Sequence, residues 1–139
     1  MSVAALTPRV RTIVICDDVT ESLAEDGVYT LEGVRSQLAA AVLPRWVSLT
    51  LYLLFSCPRR GKYFGKILVV QERTEKPIRY VKFSVTFEED NEVLSYWIVV
   101  DNCIFREAGP YFFQVYFANK DGDEALKAEH AFTVLSIEE

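Results

Sequence analysis

The run Gly109-Pro110-Tyr111-Phe112-Phe113-Gln114-Val115-Tyr116-Phe117 constrains the fold of this chain more than any other stretch. Gly-Pro interrupts what precedes it, and the aromatic and β-branched residues behind it suit a pleated sheet. Side chains alternate along a strand, so Tyr111, Phe113, Val115 and Phe117 share one face and Phe112, Gln114 and Tyr116 the other. Both faces are largely apolar, which predicts a central strand covered on both sides.

Other segments repeat the pattern. Val10, Thr12, Val14 and Cys16 alternate with Arg11, Ile13 and Ile15. Asp26-Gly27 is a turn pair, after which 28–34 reads as a second strand, with Gly33 marking a bulge or a close backbone approach. Residues 37–43 read as irregular crossing structure with at most one helical turn before Pro44. Val47, Leu49, Leu51, Leu53 and Phe55 form one apolar face, closed by the turn chemistry of Pro58-Arg59-Arg60-Gly61. Strands are expected at 62–71, at 79–87 (with one wet face), at 93–100 and at 129–137, and Asp101-Asn102 is expected to bend the sixth before Cys103. About eight strands with turn-like connections predict an all-β, antiparallel β-sandwich, immunoglobulin-like or related, with little or no helix. One domain over 1–139 is expected, frayed at 1–8.

Composition narrows the function classes. The net charge of −5 argues against a general nucleic-acid binder, because phosphate affinity comes mainly from Lys and Arg. The start of the chain lacks a basic leader with an apolar core, and apolar runs such as 51–55 are far short of a membrane span. Cys16, Cys57 and Cys103 are odd in number, widely spaced and set in apolar segments, which suits reduced thiols in a cytoplasmic protein.

Few constellations carry chemistry. The loop Asn119-Lys120-Asp121-Gly122-Asp123-Glu124 is rich in oxygen ligands, but counting from Asn119 puts Glu124 where a calcium loop needs Gly and His130 where it needs Glu. A looser Ca²⁺ site is still conceivable if Asp121 and Asp123 pool with Asp17 and Asp18. His130 is the lone histidine, and no Gly-x-Ser-x-Gly elbow or Cys-x-x-Cys pair is present. Glu88-Glu89-Asp90 reads as a solvated turn. Arg59, Arg60 and Lys62 form a basic tip able to meet an anion or an acidic partner. The apolar run Ile15-Cys16 ends directly in Asp17-Asp18, a shoulder that suits local turns or a protein contact.

The pattern Ile15-Cys16-Asp17-Asp18, Tyr29-Thr30-Leu31-Glu32-Gly33-Val34, Leu43-Pro44 and Phe105…Gly109-Pro110-Tyr111 resembles a group of small, uncharacterised bacterial all-β proteins. The resemblance implies a cytosolic sandwich domain and supplies no catalytic residues. A looser similarity to immunoglobulin-like sandwiches rests on Gly109-Pro110-Tyr111 opening a late strand. The sequence thus leads to a non-enzymatic interaction module without cofactor that binds a partner protein or a second copy of itself as a homodimer. Asp17, Asp18, Arg59, Arg60 and Tyr80 are the contact candidates. The alternative is a small-ligand or Ca²⁺-binding domain using the acidic loops.

Overall fold

The structure, a computed structural model, describes residues 7–137. It is all-β, with ten strands: β1 (Arg9–Cys16), β2 (Asp18–Glu21), β3 (Tyr29–Glu32), β4 (Gln37–Ala40), β5 (Arg45–Cys57), β6 (Gly61–Gln71), β7 (Pro77–Phe87), β8 (Glu92–Phe105), β9 (Gly109–Ala118) and β10 (Glu124–Ser136). A three-stranded sheet, β1-β5-β8, faces a five-stranded sheet, β4-β10-β9-β6-β7, and β2-β3 forms a separate ribbon. Every pairing is antiparallel except β4 with β10.

The inner faces follow from alternation. Leu49, Leu51, Leu53, Phe55 and Cys57 of β5 are buried, as are Tyr111, Phe113, Val115 and Phe117 of β9. Gly65 sits at the middle of β6, paired with Phe83 on one side and Phe117 on the other. Its missing side chain leaves the space that the Phe83 ring fills, and a Cβ there would collide with that ring. Phe83 then stacks on Phe55 with centroids 6.0 Å apart and on Tyr96 at 5.5 Å, and meets Phe117 edge-on at 5.5 Å. Phe105 joins Tyr111 and Phe132 in a second aromatic group nearer the other end. The buried Tyr111 places its hydroxyl on Glu107 O at 2.7 Å, which satisfies the one polar atom it carries inward.

Several expectations change. Residues 37–40 form no helical turn: Leu38 and Ala40 are buried while Gln37 and Ala39 face out, the alternation of an edge strand laid beside β10. Tertiary pairing overrides the helical preference of Leu and Ala here. The Asp17-Asp18 shoulder, read as local turns or a protein contact, leads straight into β2, which pairs with β3 and buries Val19. The outer face of β9 is half-exposed rather than covered, because a two-layer sandwich covers one side of each sheet. Tyr96 of β8 is turned inward against Phe55 and Phe83. The bend expected after 100 is a bulge: Asn102 has φ 50° and the β5–β8 register shifts between Val47 and Leu49, yet the strand continues to Phe105. The expected fraying at 1–6 lies outside the described residues, and Thr7 and Pro8 are buried.

Gly65→Ala should lower folding stability by about 1–3 kcal/mol through overpacking against Phe83. Adding Phe83→Leu should return part of that loss, a coupling readable by urea denaturation of the two single variants and the double.

Candidate functional site

The shoulder at the end of β1 is built as a lock. Asp17 N donates to Glu32 O and Arg35 N to Ile15 O, both at 2.8 Å, tying β1 to the segment after β3. Arg35 then grips the Asp17 carboxylate with two bonds, Nε to Oδ1 at 2.6 Å and Nη2 to Oδ2 at 2.9 Å. The fork-to-carboxylate match explains an arginine at this position. Arg35 beside Asp17 holds that carboxyl below the usual carboxylate range, chiefly through the hydrogen bond. Gly33, expected at a bulge or a close approach, has φ 64°, and any Cβ would strike the Asp17 carboxylate. Asp18 Oδ1 accepts from its own neighbour Val19 N at 2.9 Å. The paired acids thus hold the chain together here, and Asp17 offers a partner only what Arg35 leaves free.

The pooled calcium site does not assemble. Cys16 pairs with Thr50 near the middle of β5, whereas Arg9 pairs with Ser56 near its end. Lys120 of the β9–β10 loop lines a hollow together with Arg59 and Arg60, beyond that same end of β5. Asp17 and Asp18 therefore lie level with the first half of β5, away from Asp121 and Asp123 beyond its far end. Among the described residues no three His, Cys, Asp or Glu side chains come together as a metal group. In the acidic loop the Asn119 side chain accepts from Asp121 N and Asp123 N, both at 2.9 Å, so the loop is shaped by its own amides. His130 sits on β10 with Nδ1 2.8 Å from Ala131 O.

All three cysteines are buried. Burial pushes the Cys103 thiol up to about 12, and burial with Asp17 beside it raises that of Cys16. Neither supplies a thiolate nucleophile at neutral pH.

Tyr80 lies exposed on the outer face of the five-stranded sheet. Lys66 stands over the rings of Tyr116 and Tyr80, at 4.9 and 5.9 Å from their centroids, and its ammonium meets Glu124 at 2.6 Å. Lys82 also approaches the Tyr80 ring, at 5.7 Å. That face is held by cation–ring contacts among its own residues.

One edge differs from the other edges of the two main sheets. β1 carries Arg9 and Arg11 with a register shift between Val10 and Thr12. β4 is four residues long. β7 begins at Pro77 and carries Arg79 and Lys82. Charge, proline, irregularity and shortness are the devices that stop an edge from recruiting another strand. β8 has such devices only at its two ends: Glu92 at the start, and at the other end Arg79, which reaches Asp101 O at 2.7 Å and Asp101 Oδ1 at 2.6 Å beside the bulge. From Val93 to Val100 it is Val-Leu-Ser-Tyr-Trp-Ile-Val-Val, without a charge or a proline. Val93 and Val99 on its outer face are 61% and 54% exposed. Beside them Trp97 packs edge-on against Tyr29 at 5.2 Å, and Tyr52 bonds Ser95 at 2.8 Å. The uncharged run is visible in the sequence; that it lies on an edge depends on strand order, which the sequence did not reveal.

No family model matches the chain, and no curated protein is found to be similar to it. The family resemblance noted from the sequence therefore stays an expectation. Among solved structures, the chain is similar to the crystal structure of CopC from Methylosinus trichosporium OB3b, at 18% identity over 76% of this chain and 87% of that one, with a TM-score of 0.36. A likeness of that degree carries no argument about function.

Asp17→Asn should cost about 0.5–1 kcal/mol at pH 7, the range of an exposed ion pair. Because the folded-state carboxyl is shifted downward, the pair stabilises above the ordinary Asp range, and that contribution fades as pH falls below about 4. Urea melts of native and Asp17→Asn protein should differ at pH 7 and converge toward pH 2–3. Gly33→Ala should cost more than Gly27→Ala, because both have positive φ but only Gly33 faces an obstacle.

Proposed function

We propose that the protein is a non-enzymatic interaction module that pairs with a second copy of itself through β8. The unprotected run from Val93 to Val100 carries this reading, set against the protected edges of β1, β4 and β7. Antiparallel pairing of two β8 strands would join the three-stranded sheets of two copies into one continuous sheet.

The run is complementary to itself. In an antiparallel register centred on Tyr96, Leu94 of one copy lies opposite Ile98 of the other, Val93 opposite Val99, and Ser95 opposite Trp97. Each pair keeps its face, because directly opposed residues in an antiparallel ladder point the same way. The outer face then matches β-branched with β-branched and small with large, while Glu92 falls opposite Val100 rather than a second acid. No buried charge is created.

Light scattering after size exclusion, backed by native mass spectrometry, should give a dimer at micromolar protein. Val93→Lys with Val99→Lys sets lysine opposite lysine at both outer pairs and should give a folded monomer, since both positions are exposed. Val93→Asp with Val99→Asp should likewise be monomeric, and mixing the two variants should restore a heterodimer. A native monomer at 100 µM, or a lysine variant that dimerises as before, would sink the proposal.

A further inference from the structure

The end of the sandwich away from Asp17 holds a second feature, independent of β8. The turn Pro58-Arg59-Arg60 and the β9–β10 loop enclose an open hollow of about 590 Å³, within the range of small-ligand sites. Arg59, Arg60, Lys62 and Lys120 line it, together with Tyr63 and Phe64, and none of the described residues that line it is acidic. In a chain of net charge −5, four cations around one hollow make a local reversal of sign.

The same cations lack the partners found elsewhere. Arg35, Arg73, Arg79 and Lys66 each meet a carboxylate at 2.6 Å. Among the described residues, Arg59, Arg60, Lys62 and Lys120 are in no ion pair. Of the acids in the neighbouring loops, Asp90 Oδ1 takes Arg60 N at 2.9 Å and Glu92 Oε1 takes Glu88 N and Glu89 N at 3.1 and 3.2 Å, while Asp121 and Asp123 follow Lys120 on its own loop.

The hollow is also held in shape before anything enters it. Arg59 O accepts from Tyr63 Oη at 2.9 Å and from Cys57 Sγ at 3.2 Å, and Pro58 O accepts from Asn91 N at 3.2 Å. Asn119 fixes the opposite loop through Asp121 N and Asp123 N. Binding would order little backbone, so the affinity of the cations is not offset by loop ordering. The far wall is Phe64, 59% exposed although aromatic, with the Lys62 ammonium 5.4 Å from its centroid. Planar guanidinium forks beside flexible ammonium groups suit several closely spaced phosphates, and an exposed ring suits a flat group attached to them.

We infer that the hollow binds a small polyphosphate compound carrying a flat ring, the chemistry of a nucleoside triphosphate. Arg59, Arg60, Lys62 and Lys120 hold the phosphates, and Phe64 meets the ring.

Calorimetric titration of the full chain with ATP, tripolyphosphate and citrate tests this. ATP is expected to bind tightest and citrate weakest, with ATP affinity falling as NaCl is raised. Arg59→Gln with Arg60→Gln should weaken ATP and tripolyphosphate at least tenfold. Arg106→Gln, at the opposite end of the sandwich, should leave both unchanged, and all variants should keep their melting temperatures. Phe64→Ala should weaken ATP several-fold and leave tripolyphosphate as it was. Failure of ATP to bind, citrate matching tripolyphosphate, or Arg106→Gln matching the double variant would each overturn the assignment. A Phe64→Ala variant that binds ATP unchanged would overturn the role given to the ring.

Discussion

The seating of Phe83 over Gly65 is the contact on which the two sheets depend. Glycine in a strand interior is intrinsically poor, since it adds no packing and loses more conformational freedom than other residues. Here the missing side chain lets a ring from the neighbouring strand lie across the backbone, where it meets Phe55, Tyr96 and Phe117 at centroid distances of 6.0, 5.5 and 5.5 Å. Such ring pairs contribute about 0.5–1.5 kcal/mol each beyond the area they bury. Phe83 and Phe117 belong to one sheet and Phe55 and Tyr96 to the other, so the cluster sets both the spacing and the alignment of the layers.

With that centre fixed, the molecule presents two contrasting surfaces. β8 is uncharged over eight residues, from Val93 to Val100, and its Trp97 forms an aromatic cluster with Tyr29 and Tyr52. The hollow lined by Arg59 and Arg60 is cationic, and Asp90 beside it is bonded to the Arg60 backbone amide. The first surface suits a chain that brings its own unpaired strand; the second suits a compact anion. They lie on different elements, so occupation of one need not disturb the other.

Much of the layout was legible in the sequence, because alternation survives wherever one face of a strand is buried. The faces of β5 and β7 could be read residue by residue. The bulge between Val10 and Thr12, however, turns Val10 of β1 to the side of Ile13 and Ile15 rather than that of Thr12, Val14 and Cys16. The second face of β9 is half-exposed where it was read as covered. Short elements held by distant partners were not legible. Gln37–Ala40 looks helical in isolation and becomes a strand only because β10 lies beside it, and Asp18–Glu21 is too polar to announce its pairing with β3. Gly33 was readable as a close approach, but its obstacle, the Asp17 carboxylate held by Arg35, lies across a turn that no local pattern encodes. For the candidate sites, sequence supplied Arg59 and Arg60 but could not bring Lys120 to them, and it gave the apolar run in β8 without saying that the run is an edge.

The parallel pairing of β4 with β10 bears on how the chain reaches this state. Gln37–Ala40 waits for Thr133–Ser136, so the margin of the larger sheet cannot close until residue 136 has emerged during synthesis. The β6–β7 hairpin can form early from neighbouring residues, whereas β1 must find β5 and β4 must find β10 across long intervening loops. Contacts so distant in sequence slow the search, since the entropy of closing each loop is lost before its contacts form. During that interval β8 is an apolar strand with its sheet half-built. A nascent chain would then be most vulnerable to wrong pairing at the segment that the finished protein leaves open.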